Sequence, residues 1–189
     1  IKAIYEACKD HHWWLTGPED LPCCVLLASR AGTPEAIAGE AEAIYQALRK
    51  AGHTKGEVLQ TASFFLTLAG TNPDAVAARF SALADAFRDK GLRIFAKDSD
   101  ELAVLTALEQ PVDEVIQTVL SHRDVLSGIS GIDRQTGFEI AVSTATLALT
   151  QDSKTAALLV SVKSLQDVYA ILQEQIATAT ATTGAVATT

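Results

Sequence analysis

Methionine is absent from this 189-residue sequence, and cysteine, proline and aromatics are sparse: three Cys, five Pro, two Trp, three Tyr and six Phe. A helical core normally uses some methionine as flexible filler, so a core here must close with Leu, Ile, Val, Ala and Phe. Three cysteines (Cys8, Cys23, Cys24), two of them adjacent, do not make a disulfide framework. No CxxC or Cys/His spacing suggests a structural zinc site, and no metal or cofactor is expected. Positive charge is short as well: 15 Lys and Arg stand against 23 Asp and Glu, a net charge of -8. That excludes a general nucleic-acid or anionic-membrane binder. No apolar run reaches the roughly 18 residues of a membrane span.

What is present is helix punctuation. Hydrophobic residues make up 48% of the chain, enough for a sizeable core, and they recur at three and four. Thr33-Pro34-Glu35 offers a cap, a first-turn proline and an acid for the helix dipole; Gly52 closes that helix. Thr54-Lys55-Gly56-Glu57 has capping-box spacing. Asn72-Pro73-Asp74 opens another helix and Gly91 ends it. Further helices are expected from Ser99, from Pro111, from Asp133 through Leu149, and from Ser153 through Ile176, with fraying beyond Thr183. Leu92 to Ala96 reads as a loop packed under the helices.

The segment 33–52 aligns without gaps on 72–91. Ile37, Ala41, Ile44 and Leu48 match Val76, Phe80, Leu83 and Phe87, and a weaker third copy begins at Pro111. A spacing of roughly 40 residues is that of two-helix repeats that stack into α-solenoids.

The most unusual segment is His11-His12-Trp13-Trp14-Leu15-Thr16-Gly17-Pro18-Glu19-Asp20-Leu21-Pro22. Thr16 or Gly17 can cap a helix starting at Pro18, with Glu19 and Asp20 in its first turn. The functional alternative places His11 or His12 with Glu19 or Asp20 in acid–base or metal chemistry, although no H-E-x-x-H spacing is present. Trp14, Thr16 and His122 are candidate ligand-binding residues. His122 follows Val115 and Val119 at helical spacing, which predicts a core-facing histidine with one hydrogen-bond partner, or else a polar group in a pocket between helices. His53, just after a helix-ending glycine, is expected in solvent. Glu35, Glu40 and Glu42 read as a solvated face. Gly128-Ile129-Ser130-Gly131 lacks the lysine and the preceding strand of a phosphate loop.

Trp14-Leu15-Thr16-Gly17-Pro18-Glu19-Asp20-Leu21-Pro22, with Val25-Leu26-Leu27-Ala28 after it, resembles the opening motif of a bacterial family, number 4003 of the domains of unknown function. Thr136-Gly137-Phe138-Glu139-Ile140-Ala141 is similar to a later stretch of it. The resemblance implies a mostly helical bacterial cytoplasmic protein and carries over no catalytic residue.

The reading is a single all-α domain over 1–189: stacked antiparallel helix pairs, solenoid-like, with a C-terminal covering helix, or alternatively an irregular helical bundle. N-terminal helices occupy 1–32, helical pairs 33–71, 72–110 and 111–150, and the covering helix and tail 151–189. The expected function is a protein- or small-molecule-binding module in the cytoplasm, without nucleic-acid or membrane partners; a homo-oligomer fits as well. The alternative is an enzyme site near His11, His12, Glu19 and Asp20.

Overall fold

The computed structural model describes residues 1–12, 16–69, 72–150, 161, 163 and 164. Among the described residues the α-helices are, in chain order, α1 (Lys2–His11), α2 (Leu21–Ala28), α3 (Pro34–Lys50), α4 (Glu57–Leu66), α5 (Pro73–Asp89), α6 (Ser99–Thr106), α7 (Val112–Ser127) and α8 (Arg134–Leu149). Short 3₁₀ turns at Pro18–Asp20 and Ala96–Asp98 lead into α2 and α6. Among the described residues there is no strand, so the fold is all-α. The expected C-terminal covering helix and frayed tail lie outside the described residues, apart from Ser161, Lys163 and Ser164.

Helices α3 and α5 show how local chemistry sets this architecture. Each has 17 residues with proline in its first turn. The Thr33 hydroxyl accepts the Ala36 N–H at 3.3 Å, and the Asn72 side chain accepts the Ala75 N–H at 3.1 Å. Each ends in the same double hydrogen-bonded turn. His53 N–H donates to Leu48 O and Gly52 N–H to Arg49 O; Leu92 N–H donates to Phe87 O and Gly91 N–H to Arg88 O. That turn needs a left-handed residue, supplied by Gly52 (φ 95°) and Gly91 (φ 79°). The buried stripes correspond too: Ile37, Ala38, Ala41, Ile44 and Leu48 against Val76, Ala77, Phe80, Leu83 and Phe87. Helix α7 departs from this pattern. Pro111 is its N-cap rather than its first residue, and no side chain caps it.

The helices pack in two layers. In one, α3 lies between α1 and α5, and α5 between α3 and α7; in the other, α4 lies between α2 and α6, and α6 packs on α8. Sequential partners α1–α2, α3–α4, α5–α6 and α7–α8 join the layers. Helix α4 is covered all round, with every residue from Leu59 to Leu66 buried, and α6 is buried along nearly its whole length. Polar groups buried there are hydrogen-bonded: Gln60 donates to Thr16 Oγ1 and Ser63 to the Gln60 carbonyl. Phe65, Phe80, Phe87, Leu48, Leu83 and Leu105 form the centre. Each such side chain contributes about 1.5–3 kcal/mol on burial.

Two local expectations are corrected. Thr54 does not cap α4: the helix starts at Glu57 with Gly56 as N-cap and no side-chain cap, so the box spacing lies outside it. The stretch from Leu92 to Ala96 is a loop up to Phe95, with Ala96 opening the 3₁₀ turn, but only Leu92 is fully buried and Phe95 is 42% exposed. The Leu92 N–H is drawn back onto the end of α5, and the chain then runs out along the surface to the next turn.

Candidate functional site

Contacts of His12, Thr16 and Asp20 hold the N-terminal segment. His12, at the C-cap of α1, places Nε2 2.6 Å from Glu42 Oε2 on α3, and its ring packs 4.7 Å from that of Tyr45. Thr16 is buried, and its hydroxyl accepts the Gln60 side-chain amide of α4 at 2.8 Å. Asp20 is 1% exposed and accepts the Gly17 N–H at 3.0 Å. Burial, then the charges of Glu19 and Glu57, push its carboxyl up to about 7, against the opposing Gly17 and Thr61 hydrogen bonds. Gly17 caps the turn at Pro18, as the sequence suggested, and Asp20 closes it from the other side.

The candidate residues therefore separate into different environments. His12 is tied to Glu42, Asp20 to the Gly17 turn, His11 is exposed, and Glu19 is half-buried. Trp14 lies outside the described residues. Glu42, read from the sequence as part of a solvated face, is half-buried by its pairing with His12, while Glu40 pairs with Arg30 at 2.6 Å. The space lined by His11, His12, Glu42, Gln60 and Ser63 is about 10 Å³. That is the lower bound for one water molecule and far below an organic substrate. No group of three or more His, Cys, Asp or Glu among the described residues is arranged to hold a metal ion.

The cysteines sit just beneath this segment, all free and buried. Burial, reinforced by Asp20, drives the Cys23 thiol far up, and the hydrogen bond between Cys8 and Cys24 does the same to Cys24. These two thiols remain protonated and poorly nucleophilic. A second buried polar cluster lies on α6. Lys163 Nζ is 2.9 Å from Glu101 Oε1 and 3.2 Å from Asp100 Oδ2. Burial and Asp100 together outweigh Lys163 and raise the Glu101 carboxyl to about 9.

Two histidines differ from expectation. His122 is half-buried at the α7–α8 seam, with Nδ1 2.9 Å from Thr144 Oγ1. It has the one expected partner but does not face the core, because the buried stripe of α7 stops at Val119. His53 is not in solvent. The left-handed Gly52 reverses the chain and turns the next residue back. The ring then meets Phe80 edge-on at 4.8 Å and sets Nε2 2.9 Å from Ser81 Oγ, and burial lowers its pKa. A helix-ending glycine followed by histidine was the available signal.

His53 borders a surface the candidate residues did not include, centred on the loop between α5 and α6. The Phe95 N–H donates to Asp98 Oδ2 at 2.7 Å, and the Asp98 N–H returns to Phe95 O at 3.0 Å. This closed turn holds the Phe95 ring outward. One cleft, of about 180 Å³, lies between the ring and His53, Phe80 and Ser99. Another, of about 160 Å³, lies between it and Arg134, Gln135 and Phe138. The guanidinium carbons of Arg93 and Arg134 stand 5.1 and 5.9 Å from the ring centre, within cation–π range.

The fold and these surfaces define an all-helical protein with surface clefts and no assembled metal group among the described residues. The chain belongs to the family described as "Protein of unknown function (DUF4003)", whose profile matches residues 1–177. It is also 29% identical over 144 residues to a protein of Bacillus subtilis (strain 168) described as "Uncharacterized protein YeaA". That match covers 75% of this chain and 43% of the relative, so the chain spans less than half of the relative's length. No solved structure matches it. No helix among the described residues is long and apolar enough to cross a membrane.

Proposed function

We propose that this chain is a binding module: the helical pairs are repeats that form a rigid support, and the ligand is taken at the Phe95 surface. The observation that carries this reading is the pair of clefts flanking one exposed aromatic ring, which a closed hydrogen-bonded turn holds outward. Solvent-facing aromatics on rigid supports are typical anchors of recognition. Each cleft is smaller than a pocket for a drug-sized molecule, which favours an extended peptide over a small ligand. Buried, free cysteines suit a cytoplasmic setting.

Selection of a random peptide library displayed on phage tests the proposal. The full chain is the bait and Phe95→Ala the counter-bait. Peptides that enrich on the wild type and lose binding on the variant support it. Failure to enrich any sequence, or equal binding to Phe95→Ala, would sink it.

A further inference from the structure

The Phe95 surface carries a charge pattern opposite to that of the chain as a whole. Arg93, Lys97 and Arg134 are exposed around one ring, in a protein of net charge -8. None of the three has a carboxylate within 4.0 Å among the described residues, whereas Arg30, Lys50 and Arg88 do. The nearby acids are otherwise engaged. Asp98 is buried and holds the Phe95 turn through Oδ2. Asp133 caps α8 by accepting the Thr136 N–H at 2.8 Å, and Lys97 acts on it only as a neighbouring charge. The two arginines are also held in place: both lie over the ring, and Arg134 reaches the Arg93 carbonyl at 3.5 Å. Guanidinium groups ordered in this way lose less entropy when they meet a carboxylate.

Resting on the binding-module reading, we propose that the ligand is an acidic peptide segment with an aliphatic or aromatic side chain among its carboxylates. The apolar side chain seats beside Phe95, against Phe138 or Phe80. Flanking Asp or Glu residues pair with Arg93, Arg134 and Lys97. Nucleic acid fits less well, because its phosphate track needs an extended basic stripe and the rest of this chain is acidic.

Fluorescence anisotropy on the full chain tests this with labelled dodecapeptides of one design: a central Leu-Phe flanked by Asp and Glu, by Asn and Gln, or by Lys. An oligothymidylate of equal length is the fourth probe. The acidic peptide is expected to bind at least ~10-fold more tightly than the neutral one, and to weaken as salt rises from about 50 to about 500 mM. Arg93→Gln with Arg134→Gln should close that gap at an unchanged melting temperature, and Lys97→Gln alone should narrow it. Equal affinity for acidic and neutral peptides, tighter binding of the basic peptide or the oligothymidylate, or no binding of the acidic peptide overturns the charge inference. The phage selection distinguishes the two failures: peptides enriched there with no acidic bias leave the module standing and remove only its acidic ligand.

Discussion

Arg79 on α5 donates to the Leu108 carbonyl at 2.7 Å, just past the end of α6. The same guanidinium also reaches Thr106 O at 3.1 Å and Gln110 O at 2.6 Å. One side chain thus satisfies the last carbonyl of α6 and two carbonyls of the connection that follows it. Arg79→Ala is expected to destabilise the fold by about 2–4 kcal/mol; Arg79→Lys should cost less, because an ammonium keeps the charge and one donor contact, but still something, because it cannot span the three acceptors. Urea unfolding of both variants checks this; a loss within experimental error for Arg79→Ala would refute it.

Asp20 predicts a pH dependence of definite sign. Its folded pKa is raised from 3.8 to about 7, so the folded state holds the proton more tightly than the unfolded chain does. Its contribution to stability is fully present below about pH 4 and is lost as pH rises through 7. Asp20→Asn keeps an acceptor for the Gly17 N–H and has no charge to bury. Relative to wild type, it should be nearly neutral at about pH 4 and stabilising by on the order of 3 kcal/mol at about pH 8. Glu101 adds a slope of the same sign, so the informative quantity is the difference between variant and wild type across pH.

His53 slopes the other way. Burial lowers its folded pKa below 6.5, so its contribution is present above that value and is lost as pH falls through the folded pKa. His53→Phe should flatten stability in mildly acidic solution while keeping the edge-on contact with Phe80. Thermal melts in closely spaced buffers below about pH 6.5 measure this. An unchanged slope would show that the ring titrates as it does in the unfolded chain.

The glycines of the matched helices should separate by conformation. Gly52 and Gly91 adopt positive φ, and a Cβ there would meet nothing within 4 Å. The cost of Gly52→Ala or Gly91→Ala is then backbone strain alone, about 1–2 kcal/mol, and nearly equal at the two sites. Gly39, inside α3, also has open space around its Cβ position. Gly39→Ala should therefore stabilise by up to about 1 kcal/mol. Denaturant midpoints of the three variants decide the point.

The legible parts of the fold were those governed by neighbours in sequence. Thr33, Asn72 and Asp133 cap the helices their spacing indicates, and α8 runs to Leu149 as expected. The candidate site was less legible because its contacts are long-range. His12 meets Glu42 and Thr16 meets Gln60 only once α1, α3 and α4 have packed together. Phe95 carried no periodic signal, since it sits in a loop whose course depends on the turn after α5. Arg134 reads from sequence as the first residue of a helix, and its approach to Phe95 exists only in three dimensions.

The burial of α4 on every side bears on how the chain comes apart. In a long array of repeats, an end unit can peel away while the rest persists. Here the removal of either flanking pair would expose one side of Phe64, Phe65 and Leu66, three successive apolar side chains. Loss of an edge is thereby expected to carry the centre with it, so the described helices should unfold together in one transition.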